Sequence, residues 1–158
     1  MQLTHEPQGE TGACLYFATY ALTHDPAWLA YARDGPGDPT DELLWLSRLA
    51  QAGVAIFHSL VIQRSYADPV GPAFWEWQRA HTHAIQPGQV PLMVTFLGQS
   101  QVLYHAVAVV LDTTTGDVSV SDSCQPALQH FTWAAFLDTR YARAYRVSML
   151  AAFPDSAG

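Results

Sequence analysis

The chain has 158 residues and a mass of 17.4 kDa, with 49% apolar and 13% charged side chains. Charged residues usually make up about 25% of a soluble protein, so this chain has ample material for one buried core and too much to stay disordered. Fourteen acidic residues against seven basic ones give a net charge of -7, which argues against a binder of phosphate backbones.

The basic residues are all arginine, scattered from Arg33 to Arg146. The first residues, Met1 to Glu6, carry neither a basic stretch nor an apolar run, so no signal peptide is expected. No apolar stretch approaches the ~20 residues of a membrane helix. Two cysteines, Cys14 and Cys124, are too few for a disulfide framework. The expectation is a cytoplasmic protein of one domain over 1–158, with no nucleic-acid or membrane partner.

In chain order, the first ten residues read as irregular. A helix is predicted from Gly12 or Ala13, with Leu15, Ala18 and Leu22 at helical spacing. A short helix follows from Pro26 to Ala32, with proline suited to its first turn. A third runs from Asp41 to Ala52, with Thr40 as N-cap, acidic residues in its first turn and Gly53 as its stop. Val54–Ile62 is strand-like. Residues 71 to 83 read as a helix, and its Phe74-Trp75-Glu76-Trp77 segment reads as core in preference to a ligand wall.

Gln86 to Pro91 has the composition of a loop. Strands are predicted at 92–97 and 105–111, then a turn at 112–117 and another strand at 118–121. Thr132 is placed as the cap of a short helix ending at Leu137, and 144–150 forms the last strand. Helices mostly precede strands, which predicts an α+β fold with an antiparallel sheet.

Four residues stand out for chemistry. Cys14 falls at a helix start, where unpaired N–H groups favour an anion, although free cysteine is ordinarily a small buried hydrophobe. His105 opens an apolar strand, where an imidazole needs a hydrogen-bond partner. Asp122 ends the next strand; if the two pair through the turn, Asp122 lies beside His105 and can orient its ring. Gln8, six residues before Cys14, carries an amide able to donate to a developing oxyanion, with the Cys14 N–H as second donor.

Taken together, Gln8-Gly9-Glu10-Thr11-Gly12-Ala13-Cys14, His105-Ala106-Val107-Ala108-Val109-Val110 and Val118-Ser119-Val120-Ser121-Asp122-Ser123 resemble the papain-like cysteine peptidase superfamily. The short chain, the strand Pro91-Leu92-Met93-Val94 and Phe131-Thr132-Trp133-Ala134-Ala135-Phe136 are most similar to its compact bacterial branch, the peptidase domains of bacteriocin exporters and their stand-alone relatives. The resemblance implies a papain-like fold, with an N-terminal helical part whose nucleophile helix packs on a C-terminal antiparallel sheet. It also implies thiol hydrolysis of a peptide or protein substrate by Cys14, His105 and Asp122, with Gln8 in the oxyanion hole.

The chain has Ala13-Cys14-Leu15 where exporter peptidases have Asp-Cys-Gly, and Cys124 where a tryptophan is usual; these departures bear on substrate class. Acyl transfer, as in transglutaminase-like domains, and an inactive peptide-binding domain are the alternatives.

No cofactor is implied. A metal is disfavoured because His81 and His83 would point about 200° apart on a helix. His5, His24, His58 and His130 fall in no ligand pattern. A Cys14–Cys124 disulfide, which would switch such a site off, requires Cα atoms within about 7 Å.

Overall fold

The computed structural model describes residues 2–9, 11–58, 71–85, 87–97, 103–143 and 146–152. In chain order the elements are α1 (Cys14–Thr23), α2 (Ala27–Asp34), α3 (Glu42–Gln51), β1 (Val54–His58) and α4 (Pro72–Ile85). Then come β2 (Gln89–Leu97), β3 (Leu103–Asp112), β4 (Val118–Ser121), β5 (Gln129–Phe131), α5 (Trp133–Leu137), a 3-10 turn at Arg140–Ala142 and β6 (Arg146–Ala152). The fold is α+β. Six strands form one antiparallel sheet in the order β1-β6-β2-β3-β4-β5.

Alternation along the two central strands divides the core. Met93, Ala106, Ala108 and Val110 face α1, α2 and α3, whereas Leu92, Val94, Val107, Val109 and Leu111 join Trp75 of α4 and Phe136 of α5. Successive strand residues point to opposite faces, so an unbroken apolar run marks a strand covered on both sides. The helices therefore cover both faces of the sheet. The nucleophile-bearing helix α1 packs on the antiparallel sheet as expected, and α4 and α5 add a second layer on the face opposite α1.

Helix α1 is the centre of the first face. Its residues Leu15, Tyr16, Phe17, Ala18, Thr19, Ala21 and Leu22 are all buried, so it is apolar nearly all round and enclosed by other elements. The small side chains of Ala106 and Ala108 on β3 leave room for it to lie close to the sheet. Its buried polar groups are paired: Trp45 Nε1 donates to Thr19 Oγ1 at 2.9 Å, and Arg48 donates to Tyr16 Oη at 2.7 Å.

Several boundaries differ from expectation for local reasons. The N-cap of α3 is Asp41, not Thr40: the Asp41 carboxylate accepts from the Leu43 and Leu44 N–H groups, while Thr40 turns its own N–H and hydroxyl to Asp38. Strand β2 starts at Gln89, so Pro91 lies within a strand. It is tolerated because β6 pairs only with Met93 to Thr95, leaving β2 an edge on that side at Pro91. The three-residue β5 was not expected. Thr132 caps α5 as predicted, accepting from the Ala135 N–H. Residues 59–62 of the first predicted strand and 144–145 of the last lie outside the described residues. Of the aromatic segment, Trp75 is core, with its N–H on the Ala142 carbonyl, while Trp77 is half exposed. Among the described residues, no helix is long and apolar enough to cross a membrane.

Candidate active site

Cys14 is the first residue of α1 and is buried. The chain reaches it through Gly12 at a φ of 66°, a left-handed turn for which glycine is suited; nothing lies within 4 Å of where its Cβ would sit, so the demand is on the backbone alone. Ala13 caps the helix without a side-chain hydrogen bond. The N–H groups of Tyr16 and Phe17 turn back to the Ala13 carbonyl, whereas the Cys14 N–H has no acceptor among the described residues. The sulfur thus sits at the positive end of a ten-residue helix beside that N–H.

From the sheet come the other two side chains. β3 and β4 pair with Ala108 opposite Ser121, which carries the start of one strand to the end of the other. His105 Nε2 and Asp122 Oδ1 are 2.7 Å apart. The Cys14 thiol is close enough to the same imidazole to favour its protonated form. Because Nε2 is occupied by Asp122, Nδ1 is the ring nitrogen left for the sulfur. Phe96, opposite His105 in the β2–β3 register, stacks on the ring at 6.4 Å between centroids.

Asp122 is fully buried and accepts from four donors. Besides His105, these are the Cys124 N–H at 3.0 Å, the Arg140 guanidinium at 2.7 Å and the Tyr141 hydroxyl at 2.6 Å. Burial alone would raise its pKa, but hydrogen bonds from His105, Tyr141 and Cys124 outweigh it and hold the carboxyl well below its usual range. His105 shows the mirror case. Burial would lower it, yet hydrogen bonds with Asp122 and Cys14, and the charges of both, push it up to about 9. Tyr141 is pushed up to about 12, first by burial and then by its bond to Asp122, so it remains a donor at neutral pH.

Gln8 is fastened to the residue after Asp122. Its N–H donates to the Ser123 carbonyl at 2.8 Å, and the Ser123 hydroxyl donates to its Oε1 at 2.5 Å. With Oε1 held, the amide NH2 is directed away from Ser123 and has no partner among the described residues. His5 secures the same segment, one ring nitrogen meeting Ser121 Oγ and the other the Gln125 carbonyl, each at 2.8 Å. Thus Cys14, His105 and Asp122 come together in one group, hydrogen-bonded from His105 to Asp122, and Gln8 is moored beside its acidic end.

Sequence reasoning missed Arg140 and Tyr141, which hold the carboxylate, Ser123, which aims the glutamine, and Phe96, which covers the imidazole. The cross-strand position of Phe96 was the one available signal.

Cys124 is exposed and Cys14 is buried; both are free thiols. The Cys124 sulfur, a His105 ring nitrogen and an Asp122 oxygen lie within 4.8 Å of one another, a set of atoms able in principle to hold a metal ion. The His105 and Asp122 atoms are already hydrogen-bonded to each other, however, and both carboxylate oxygens take further donors, so the set does not face a shared vacant centre. His81 bonds the Trp77 carbonyl and His83 the Thr113 hydroxyl, so these two are engaged separately. His24 meets Thr4, and His130 meets Ser119. The His58 side chain lies outside the described residues.

Beside His105 opens a cleft of about 400 Å³ lined by Phe96, His105, Asp138, Thr139, Arg140 and Arg143. No protein-family model matches the chain, and a search of curated proteins finds no match either.

Proposed function

We propose that this chain is a thiol hydrolase of peptide or amide bonds, with a papain-like arrangement of the catalytic groups. The observation that carries the reading is the grouping of Cys14 at a helix start with His105, which is hydrogen-bonded to a buried, ionised Asp122, next to an open cleft.

In the mechanism this supports, the Cys14 thiol gives its proton to His105 and the thiolate attacks the acyl carbon. The Gln8 NH2 and the Cys14 N–H stabilise the oxyanion that forms. His105 returns its proton to the nitrogen as the C–N bond breaks, releasing the amine and leaving a thioester. Water then attacks the thioester, losing a proton to His105, and the acid departs as the thiolate is restored. Asp122 is a positioning residue: it fixes the ring's orientation and balances the imidazolium charge. Hydrolysis is favoured over acyl transfer by the motif around Gln8, the feature shared with the peptidase resemblance.

The test is covalent labelling with an epoxysuccinyl or chloromethyl ketone reagent, read by intact mass and peptide mapping. Cys124 makes a built-in control, since partial burial and the nearby Asp122 charge push its thiol up. The expected adduct is on Cys14, is lost in Cys14→Ala and is slowed in His105→Ala. Turnover of a peptide library falls on the order of 10⁵-fold in Cys14→Ala with Tm unchanged. Labelling confined to Cys124, with Cys14 inert from about pH 5 to 9, overturns the reading.

A further inference from the structure

The cleft beside His105 has a chemistry of its own. It is lined by His105 and by neither Cys14 nor Gln8, so it is reached past the imidazole. In the proposed reaction the acyl carbon is at the sulfur, and the imidazole hands its proton to the departing nitrogen. A cleft reached past the imidazole is placed for the part of a substrate joined to that nitrogen.

Its walls are unusual for this chain. The protein carries a net charge of -7 and only seven basic residues, yet two of them, Arg140 and Arg143, line this one cleft. Arg140 is committed to Asp122 at 2.7 Å and lies over the Tyr141 ring. Arg143 is exposed, and its guanidinium forms no hydrogen bond or ion pair among the described residues. Asp138 lines the cleft too and is not paired with Arg143. Phe96 adds an apolar wall. An uncommitted guanidinium at the mouth of a partly apolar cleft is suited to a carboxylate, which it can grip with two parallel N–H donors.

We propose that this cleft receives the leaving-group side of the substrate, and that Arg143 selects a carboxylate there. That carboxylate is either the α-carboxylate of a short C-terminal fragment or an acidic side chain close to the cleaved bond. The assignment to the leaving-group side rests on the hydrolase reading. The carboxylate preference does not, and it is measurable without turnover.

The experiment is a titration of the full-length Cys14→Ala protein with three dipeptides, followed by calorimetry or NMR. Gly-Leu presents an α-carboxylate, Gly-Glu-amide a side-chain carboxylate and Gly-Leu-amide neither. At low salt, at least one acid is expected to bind about fivefold more tightly than the neutral amide, the scale of one partly exposed ion pair. Whichever acid gains identifies the source of the carboxylate. Arg143→Gln removes the gain and leaves Gly-Leu-amide unchanged, Asp138→Asn enlarges it, and added salt erodes it.

Equal binding of all three dipeptides, no saturable binding of either acid, or a preference that survives Arg143→Gln overturns the proposal. Loss of the hydrolase reading would appear instead as an inert Cys14 in the labelling test, with these binding constants unaffected.

Discussion

The two walls of the candidate site are built in opposite ways. On the sheet side, His105 and Asp122 stand on paired strands, and the carboxylate is clamped by three further donors from Cys124, Arg140 and Tyr141. On the other side, Gln8 and the approach to Cys14 are irregular chain, moored by Ser123 and His5 and turned by Gly12. The sheet side joins stability to chemistry, because its carboxylate is buried. The N-terminal side separates them, because the Cys14 N–H and the Gln8 NH2 have no partner among the described residues. Substitutions should therefore damage folding on one wall and mainly catalysis on the other.

Asp122→Asn tests the first half and should have the largest combined effect. It leaves the imidazolium and the largely exposed Arg140 facing a neutral amide where a carboxylate with 0% exposure had been. Breaking one partner of such a buried cluster costs about 3 kcal/mol, roughly 10 °C in Tm for a chain of this size. Loss of ring orientation should lower kcat on the order of 10³- to 10⁴-fold. Thermal unfolding and peptide turnover measure the two effects. An unchanged Tm would show that the sheet wall is no more integral to the fold than the other.

Gln8→Ala tests the second half. The loss of one oxyanion donor should reduce kcat on the order of 10²-fold with KM almost unchanged, while the unpaired Ser123 hydroxyl costs only about 1 kcal/mol. Ser123→Ala acts one step removed, by releasing Gln8 Oε1, and should lower kcat about tenfold, the scale of one hydrogen bond. Ser123→Thr, which keeps the hydroxyl, should restore the rate. Equal losses of rate and stability in Gln8→Ala would remove the contrast between the walls.

How much of this is legible in the sequence follows the same division. The His105–Asp122 contact is local: two apolar runs joined by Asp112-Thr113-Thr114-Thr115-Gly116-Asp117 form a hairpin whose register places them together. The start of α1 at Cys14 is local too, set by Gly12 and the apolar positions after it. The clamp is not legible. Arg140 and Tyr141 lie 18 and 19 residues beyond Asp122 in a short turn with no periodic pattern, and only packing on the sheet brings them back. Nor does the sequence say that α4 crosses to the far face, because Trp75 would satisfy either face of an apolar sheet. Ser123 is one small residue whose meaning depends on Gln8, 115 positions away.

The proton on His105 offers the finest test of which wall governs the site. Burial is the largest influence on the ring and lowers its pKa from the ordinary 6.5; Asp122 and then Cys14 reverse this, to about 9. The ring signal in an NMR titration should therefore move down in Cys14→Ala, and further down in Asp122→Asn, where burial is opposed by the sulfur alone. Stability follows with opposite signs for the two partners. A raised His105 contributes stability fully below pH 6.5 and loses it as pH rises through about 9. The depressed Asp122 contributes above its ordinary 3.8 and loses this only as the solution becomes strongly acidic. Turnover should fall on the alkaline side near pH 9, up to tenfold per pH unit, as the imidazolium loses the proton owed to the leaving amine. A larger downward move in Cys14→Ala than in Asp122→Asn would make the sulfur, not the clamped carboxylate, the holder of that proton, and would reverse the roles given to the two walls.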